Sequence, residues 1–336
     1  MEHRNLGRTG LKVSELCLGA MYFGGVADEK TGFEILDRFV DAGGNFIDTA
    51  DVYNAGESEK VLGRWLAARD RDSLVIATKV RGKMGDDVNA KGLSRKHVMS
   101  AVDASLQRLG TDYIDLYYTH VYDRDVPLEE TLSTLDDLVR AGKVRYLGAS
   151  NVAGWQLQKA VDLAERNGWA RYVALQPLYN LLDREIEWDS MEVCRAEGLG
   201  IMPWSPLRAG WLSGRFSRGM QAPPQDASRV KQSSDVPFDM AWEQYDNEHT
   251  WSVIDAVAEV AAETGKTVAQ VATRWLVDQD AVTAPIIGPR TVEHAVNSLG
   301  VAGWALTAEQ LSKLDEASAK PKPYPFNLLE HFAGQR

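Results

Sequence analysis

Four residues in the sequence have the types and placement for proton chemistry at an oxygen atom: Asp48, Tyr53, Lys79 and His120. Asp48 ends the apolar run "NFID", and Tyr53 follows in the turn-forming stretch "YNAG". Lys79 closes "LVIATK" and His120 closes "DLYYTH", so each stands at the mouth of a strand-like segment. Taken singly, Asp48 reads as a turn cap, Tyr53 as core filler and His120 as a satisfied core histidine. Lys79 must find a partner or lose its proton, which leaves a Schiff-base lysine and an ion pair with Asp48 both open. Taken together they form a proton donor. A phenol with a reference pKa of about 10 is a poor acid near neutral pH, but an adjacent ammonium stabilises the phenolate and lowers that value. In this reading Lys79 supplies the ammonium, Asp48 keeps it charged and oriented, and His120 hydrogen-bonds the oxygen being protonated.

Protonating an oxygen requires a second event at the neighbouring carbon. No serine or cysteine in these motifs has a base beside it and no metal-ligand cluster is visible, so hydride from a bound cofactor is the economical choice. Ser150, Asn151 and Gln176 end two further apolar runs and suit a nicotinamide carboxamide, and Trp204 offers a face for stacking. Gly288, Arg290 and Thr291 in "IIGPRTVEHAVNS" precede a helix start, where backbone N–H groups and an arginine hold phosphate well.

The elements that must position these residues alternate. Short apolar runs, "ELCLG", "NFIDT", "LVIATK", "YIDLYYTH", "VRYLGASN", "YVALQ", "LGIMPWS" and "TAPIIG", are separated by segments of helical period, several ending in glycine. All intervals but the last are roughly 25 to 40 residues, one strand plus one crossover helix, which predicts a parallel sheet closed as a (β/α)8 barrel. An open doubly wound sheet is the rival, but "LGAMYFGGVADEK" lacks the spacing of a dinucleotide fingerprint. The whole chain, residues 1–336, is expected to form one such α/β domain: an N-terminal hairpin (1–15) turned at Arg8, Thr9 and Gly10, a long loop (207–248) after the seventh strand, extra C-terminal helices, and a proline-extended tail (321–336) able to fold over a site.

With 48 acidic against 37 basic residues the net charge is −11, the wrong sign for holding nucleic acid or anionic membrane. Cys17 and Cys194 show no metal-ligand or redox spacing, and no apolar run of about 18 residues occurs. A cytoplasmic protein acting on a small molecule is expected.

The motifs "DTADVYNAGESEKVLG", "IATKV", "DLYYTH", "GKVRYLGASN", "LQPLYN", "WSPLRAGWLSGRF" and "GPRTVEHAVNS" together resemble those of the aldo-keto reductases, in family order and over almost the whole chain, closest to the bacterial and potassium-channel-β-like branch. The resemblance implies NADP(H), favoured over NAD(H), lying across the C-terminal face of the barrel. It implies Tyr53 as general acid, Lys79 tuning it, Asp48 pairing with Lys79, and His120 orienting the carbonyl. It further implies cofactor contacts from Gly19, Met21, Asp48, Ser150, Asn151, Gln176, Trp204, Ser205, Pro206, Leu207, Gly210, Arg215, Ile287, Gly288, Arg290, His294, Asn297 and Ser298. His294, Asn297 and Ser298 depart from the family's usual residues at the adenine end, and Arg208 stands where many relatives have a small residue. An apolar pocket walled by Met21, Tyr22, Phe23, Tyr122 and Trp211, beside Tyr53 and His120, suits a medium-sized aldehyde or ketone. Three other readings stand beside this one: a Schiff-base aldolase, an NADPH-binding regulatory subunit, and the same chemistry run as an alcohol or sugar dehydrogenase.

Overall fold

The strand-forming runs pair in sequence order. In a computed structural model, which describes residues 1–224, 230–231 and 240–333, eight parallel strands form one sheet in the order β12-β3-β4-β5-β6-β7-β8-β9. These are β3 (Cys17–Gly19), β4 (Phe46–Asp48), β5 (Val75–Val80), β6 (Ile114–Thr119), β7 (Val144–Ser150), β8 (Tyr172–Gln176), β9 (Gly200–Ile201) and β12 (Ile286–Ile287). The sheet closes on itself, because Ile201 bridges Val282 in parallel and the amides of Thr283 and Ile286 donate to the carbonyls of Ile201 (2.8 Å) and Pro203 (2.8 Å). The expected (β/α)8 barrel is therefore the fold.

Helices α1 (Glu29–Asp41), α2 (Glu57–Leu66), α3 (Arg95–Leu109), α4 (Leu128–Arg140), α5 (Gly154–Asn167) and α6 (Ser190–Glu197) follow successive strands and lay their apolar stripes on the outside of the barrel. The glycines read as helix stops act as such: Gly110, Gly168 and Gly198 all cap helices with left-handed backbone. Inside the barrel, Cys17, Phe46, Val75, Ala77, Leu116, Tyr118, Ala174, Met202 and Ala284 pack as a separate apolar cluster. The N-terminal hairpin, β1 (His3–Asn5) with β2 (Lys12–Ser14), plugs one end of it with Leu6 and Val13, both fully buried. The other end, where the strands terminate, carries the polar residues.

The region expected to be a loop (207–248) is partly structured. It contains a parallel pair of two-residue strands, β10 (Val230–Lys231) and β11 (Met240–Ala241), and the one-turn helix α7 (Trp242–Tyr245); residues 225–229 and 232–239 lie outside the described residues. Helices α8 (Glu248–Thr264), α9 (Val268–Val277), α10 (Val292–Leu299) and α11 (Ala308–Ser318) follow. The tail is not wholly extended. Its prolines cease at Pro325, and Phe326–Ala333 forms an exposed helix, α12, with residues 334–336 outside the description. Among the described residues no helix is long and apolar enough to cross a membrane.

Candidate active site

Parallel pairing aligns Asp48 of β4 with Ala77 of β5, which brings Lys79, two residues on, to the same mouth of the barrel. Lys79 is fully buried, yet all three of its N–H donors are matched: Asp48 Oδ2 at 2.5 Å, the Thr49 carbonyl at 2.7 Å and the Tyr53 hydroxyl at 3.1 Å. The other Asp48 oxygen accepts from Gln176 Nε2 at 2.8 Å. Burial works against the charge on Lys79, but Asp48 and the hydrogen-bonded Tyr53 outweigh it and hold the lysine pKa above its ordinary value. Asp48 is pushed up by burial against the pull of Lys79 and Gln176. Lys79 is accordingly an ammonium.

Tyr53 opens a turn whose next residues, Asn54 and Ala55, have left-handed backbone (φ 48° and 54°). That conformation aims the Asn54 amide back at the loop after β3, where it donates to the carbonyls of Met21 (3.1 Å) and Phe23 (2.8 Å). Gly25 is required beneath it: a Cβ there would stand 2.7 Å from Asn54 Oδ1. The imidazole of His120 meets the Tyr53 ring edge-on, centroids 5.7 Å apart at 81°. Burial first, and then Lys79 and Arg81, lower the His120 pKa to about 3, so its imidazole is neutral at physiological pH.

A chain of polar groups runs along the adjacent strand ends. Ser150 Oγ donates to the Gln176 carbonyl (2.7 Å), Asn151 Nδ2 donates to Ser150 Oγ (2.9 Å) and to the His120 carbonyl (2.9 Å), and Trp204 Nε1 donates to Asn151 Oδ1 (3.1 Å). Asn151 is itself left-handed, at φ 54°. One network thus ties Asp48, Gln176, Ser150, Asn151, Trp204 and the His120 backbone together.

Farther round the mouth, Thr291 caps α10 by accepting from the His294 amide (3.2 Å). His294 is exposed, Gly288 is exposed, and Arg290 lies over the Tyr22 ring at 5.8 Å. Partial burial, then Arg290 and then Arg215 lower the His294 pKa, Glu293 opposing, so these three basic groups share one locality. Asn297 Oδ1 accepts from Thr267 (3.1 Å) and its carbonyl from Gln270 (2.8 Å), which anchors α10 to α9. Gly19 and Ile287 are buried at strand ends and Pro206 is buried in the turn after Trp204, whereas Met21, Ser205, Leu207, Gly210 and Ser298 are half-buried.

Residues 15–319 match the sequence model of the aldo/keto reductase family. The chain belongs to that family. Among relatives, it is 37% identical over 331 residues to the uncharacterized oxidoreductase YrpG of Bacillus subtilis, covering 96% of this chain and 97% of that one. It is 33% identical over 341 residues to versiconal hemiacetal acetate reductase of Aspergillus parasiticus (94% and 96% covered). With norsolorinic acid reductase B of the same species the identity is 36% over 333 residues (95% and 84% covered). This aldo/keto reductase is therefore an oxidoreductase.

Two aromatics expected in the pocket wall of this aldo/keto reductase are elsewhere. Phe23 has no exposed surface and packs in the outer core; Trp211, also fully buried, stacks on Trp242 (4.7 Å) among Phe216, Tyr245 and Trp251. A ring without exposed surface cannot line an open pocket. Tyr22 lies toward Gly288 and Arg290. Tyr122, two residues past His120, is half-buried and meets an indole that sequence reading passed over: Trp155, in the first turn of α5, is 61% exposed with its ring 6.3 Å away. An exposed tryptophan at the reactive mouth was the available signal. Sequence reading also missed the supports behind Tyr53. Ser58 Oγ donates to the Ala20 carbonyl (2.7 Å), and Glu59 is buried between Arg108 (2.6 Å) and Thr78 (2.6 Å).

Proposed function

We propose that this protein reduces an aldehyde or ketone to the alcohol, with Tyr53 as proton donor and NADP(H) as the preferred cofactor. The observation that carries the reading is the saturated Lys79 ammonium, fully buried and 3.1 Å from the Tyr53 hydroxyl. With two of its N–H groups taken by Asp48 and the Thr49 carbonyl, the cation keeps its third on the Tyr53 oxygen and stabilises the negative charge left there as the proton departs. Asp48 keeps the lysine charged, and Gln176 and Thr49 hold the pair in register. The neutral His120 imidazole stands beside Tyr53 and can donate one hydrogen bond to the same carbonyl oxygen without competing as an acid. NADP(H), when bound, supplies the hydride. The residues present fit it: Ser150, Asn151 and Gln176 form an amide and hydroxyl row suited to a carboxamide, and Trp204 is fixed by its N–H with a face to stack on. Arg215, Arg290 and His294 converge where a 2′-phosphate would be held.

That last cluster gives a test. His294 is held low by partial burial and then by the neighbouring cations Arg290 and Arg215, and a dianionic phosphate between them would offset the cations and raise its affinity for a proton. Binding of NADPH, but not NADH, then takes up a proton, so the NADPH-to-NADH affinity ratio rises as the pH falls from about 8 toward about 6.5. Titrating tryptophan fluorescence with each nucleotide at several pH values measures it. Arg290→Ala should cut the ratio about 10- to 100-fold, the worth of a charge-assisted phosphate contact. A ratio of one at every pH would refute the NADP assignment.

For the substrate, the Tyr122 and Trp155 rings provide an aromatic rim beside His120, which favours a carbonyl attached to a flat apolar body. Two relatives whose names specify reduction of versiconal hemiacetal acetate and norsolorinic acid are compatible with an organic carbonyl of some size. Trp155→Ala is expected to raise KM for a bulky aromatic aldehyde about 5- to 10-fold, in line with one lost aromatic contact, while KM for a three-carbon aldehyde stays put. Equal changes for both would place Trp155 outside the pocket.

A further inference from the structure

The stretch that follows Trp204 carries an unusual backbone. Ser205 (φ 60°), Arg208 (φ 44°), Ala209 (φ 53°) and Gly210 (φ 105°) all lie in the left-handed region, which disfavours the three that are not glycine. Such a run persists only where its surroundings over-determine it, and here they do. The turn Asn180–Asp183, which follows β8, is braced by its own hydrogen bonds, with Asn180 Oδ1 accepting from the amides of Leu182 (2.8 Å) and Asp183 (3.1 Å). From that turn Asn180 Nδ2 donates to the Ser205 carbonyl at 3.2 Å, and Asp183 Oδ2 lies 2.7 Å from Arg208 Nε. Arg208 Nε also donates to the Tyr245 hydroxyl (2.8 Å), a second donor of the guanidinium reaches the same oxygen, and that hydroxyl bridges to Asp183 Oδ1 (3.3 Å). Only 8% of Arg208 is exposed.

The sequence allows two readings of Arg208, an extra charge beside the ligand and a solvated loop residue. The structure supports neither: the guanidinium is committed to Asp183 and Tyr245. A buried ion pair contributes little net stability because both charges are desolvated, but it fixes geometry strongly. The three segments it joins are the turn after β8, the loop after Trp204 and α7.

We propose that Arg208, clasped by Asp183 and Tyr245, is a positioning residue that holds the backbone of Ser205 and of Arg208–Gly210 in its left-handed form and so shapes the loop against the phosphates of a dinucleotide. This rests on the cofactor reading above. The clasp acts on the part of the ligand beyond the nicotinamide, so its loss should be felt by NADPH and not by reduced nicotinamide mononucleotide, which lacks the second nucleotide.

The test compares release of NADPH, by stopped-flow fluorescence, and equilibrium affinity for both nucleotides in the parent, Arg208→Ala and Tyr245→Phe proteins. Arg208→Ala is expected to release NADPH about tenfold faster and to lower the affinity ratio of NADPH over the mononucleotide by about the same factor, with guanidinium ion restoring part of it. Tyr245→Phe keeps the ring and loses only the hydroxyl, so it should give a smaller change in the same direction even where Arg208→Ala fails to fold. Unchanged release in a folded variant, or equal loss for both nucleotides, overturns the clasp while leaving the cofactor reading intact. A parent protein that binds no NADPH overturns the cofactor reading and the clasp with it.

Discussion

Tyr53→Phe should keep NADPH affinity within about twofold of the parent and lower the rate of carbonyl reduction by about 10²- to 10⁴-fold, the worth of a positioned general acid. The substitution keeps the ring that packs edge-on against His120 and removes only the hydroxyl hydrogen-bonded to Lys79 at 3.1 Å. The nucleotide is proposed to be held by other groups, from Ser150 to His294, so binding and chemistry should separate. Steady-state reduction and a fluorescence titration on the same preparation read the two quantities. Equal losses of affinity and rate would mean that Tyr53 shapes the site and does not donate the proton.

Lys79→Met should lower the rate by a similar factor, and it should also cost stability, which Tyr53→Phe should do far less. Removing the ammonium leaves the Asp48 carboxylate fully enclosed with the Gln176 amide as its remaining side-chain partner. An uncompensated buried charge costs about 3–5 kcal/mol. The pH dependence follows from the sign of the shift. Burial already pushes the Asp48 pKa up, and without Lys79 it rises further. The folded variant then holds a proton that the unfolded chain releases above about pH 4, so its stability falls as the pH rises through that window. The deficit measured by denaturant unfolding should thus be larger near pH 8 than near pH 5. Adding Asp48→Asn to Lys79→Met should recover much of the stability and none of the rate. A single variant as stable as the parent at every pH would contradict the ion-pair account.

How far the sequence foretells this site depends on what each residue's neighbours reveal. Asp48, Lys79, Ser150 and Gln176 were legible because a polar residue ending a buried strand is costly unless paired, and strand order in a parallel barrel follows chain order. Tyr53 was legible through the turn chemistry around it. Phe23 and Trp211 were misread because an aromatic in an irregular loop has no period to show whether it faces core or mouth. Trp155 was missed for the opposite reason: it lies in a segment of helical period, where an aromatic reads as core, and only the exposure at the first turn of α5 shows otherwise. The partners of Arg208 lie 25 residues before it and 37 after, in Asp183 and Tyr245, and no local pattern announces an ion pair of that span. The prolines of the tail predict an extended chain, yet they stop before Phe326, and Phe326–Ala333 forms a helix.

In the proposed reaction, bound NADPH passes hydride to a carbonyl that Tyr53 protonates. The most direct measurement loads the protein with NADPH, removes the excess, adds an aromatic aldehyde and follows loss of reduced-nicotinamide absorbance in a single turnover. Rapid loss of one equivalent with formation of the alcohol is expected, and a persistently reduced nucleotide in Tyr53→Phe over the same time. Reduced nucleotide that stays unchanged on the parent protein through a panel of aldehydes and ketones would contradict the proposed reaction.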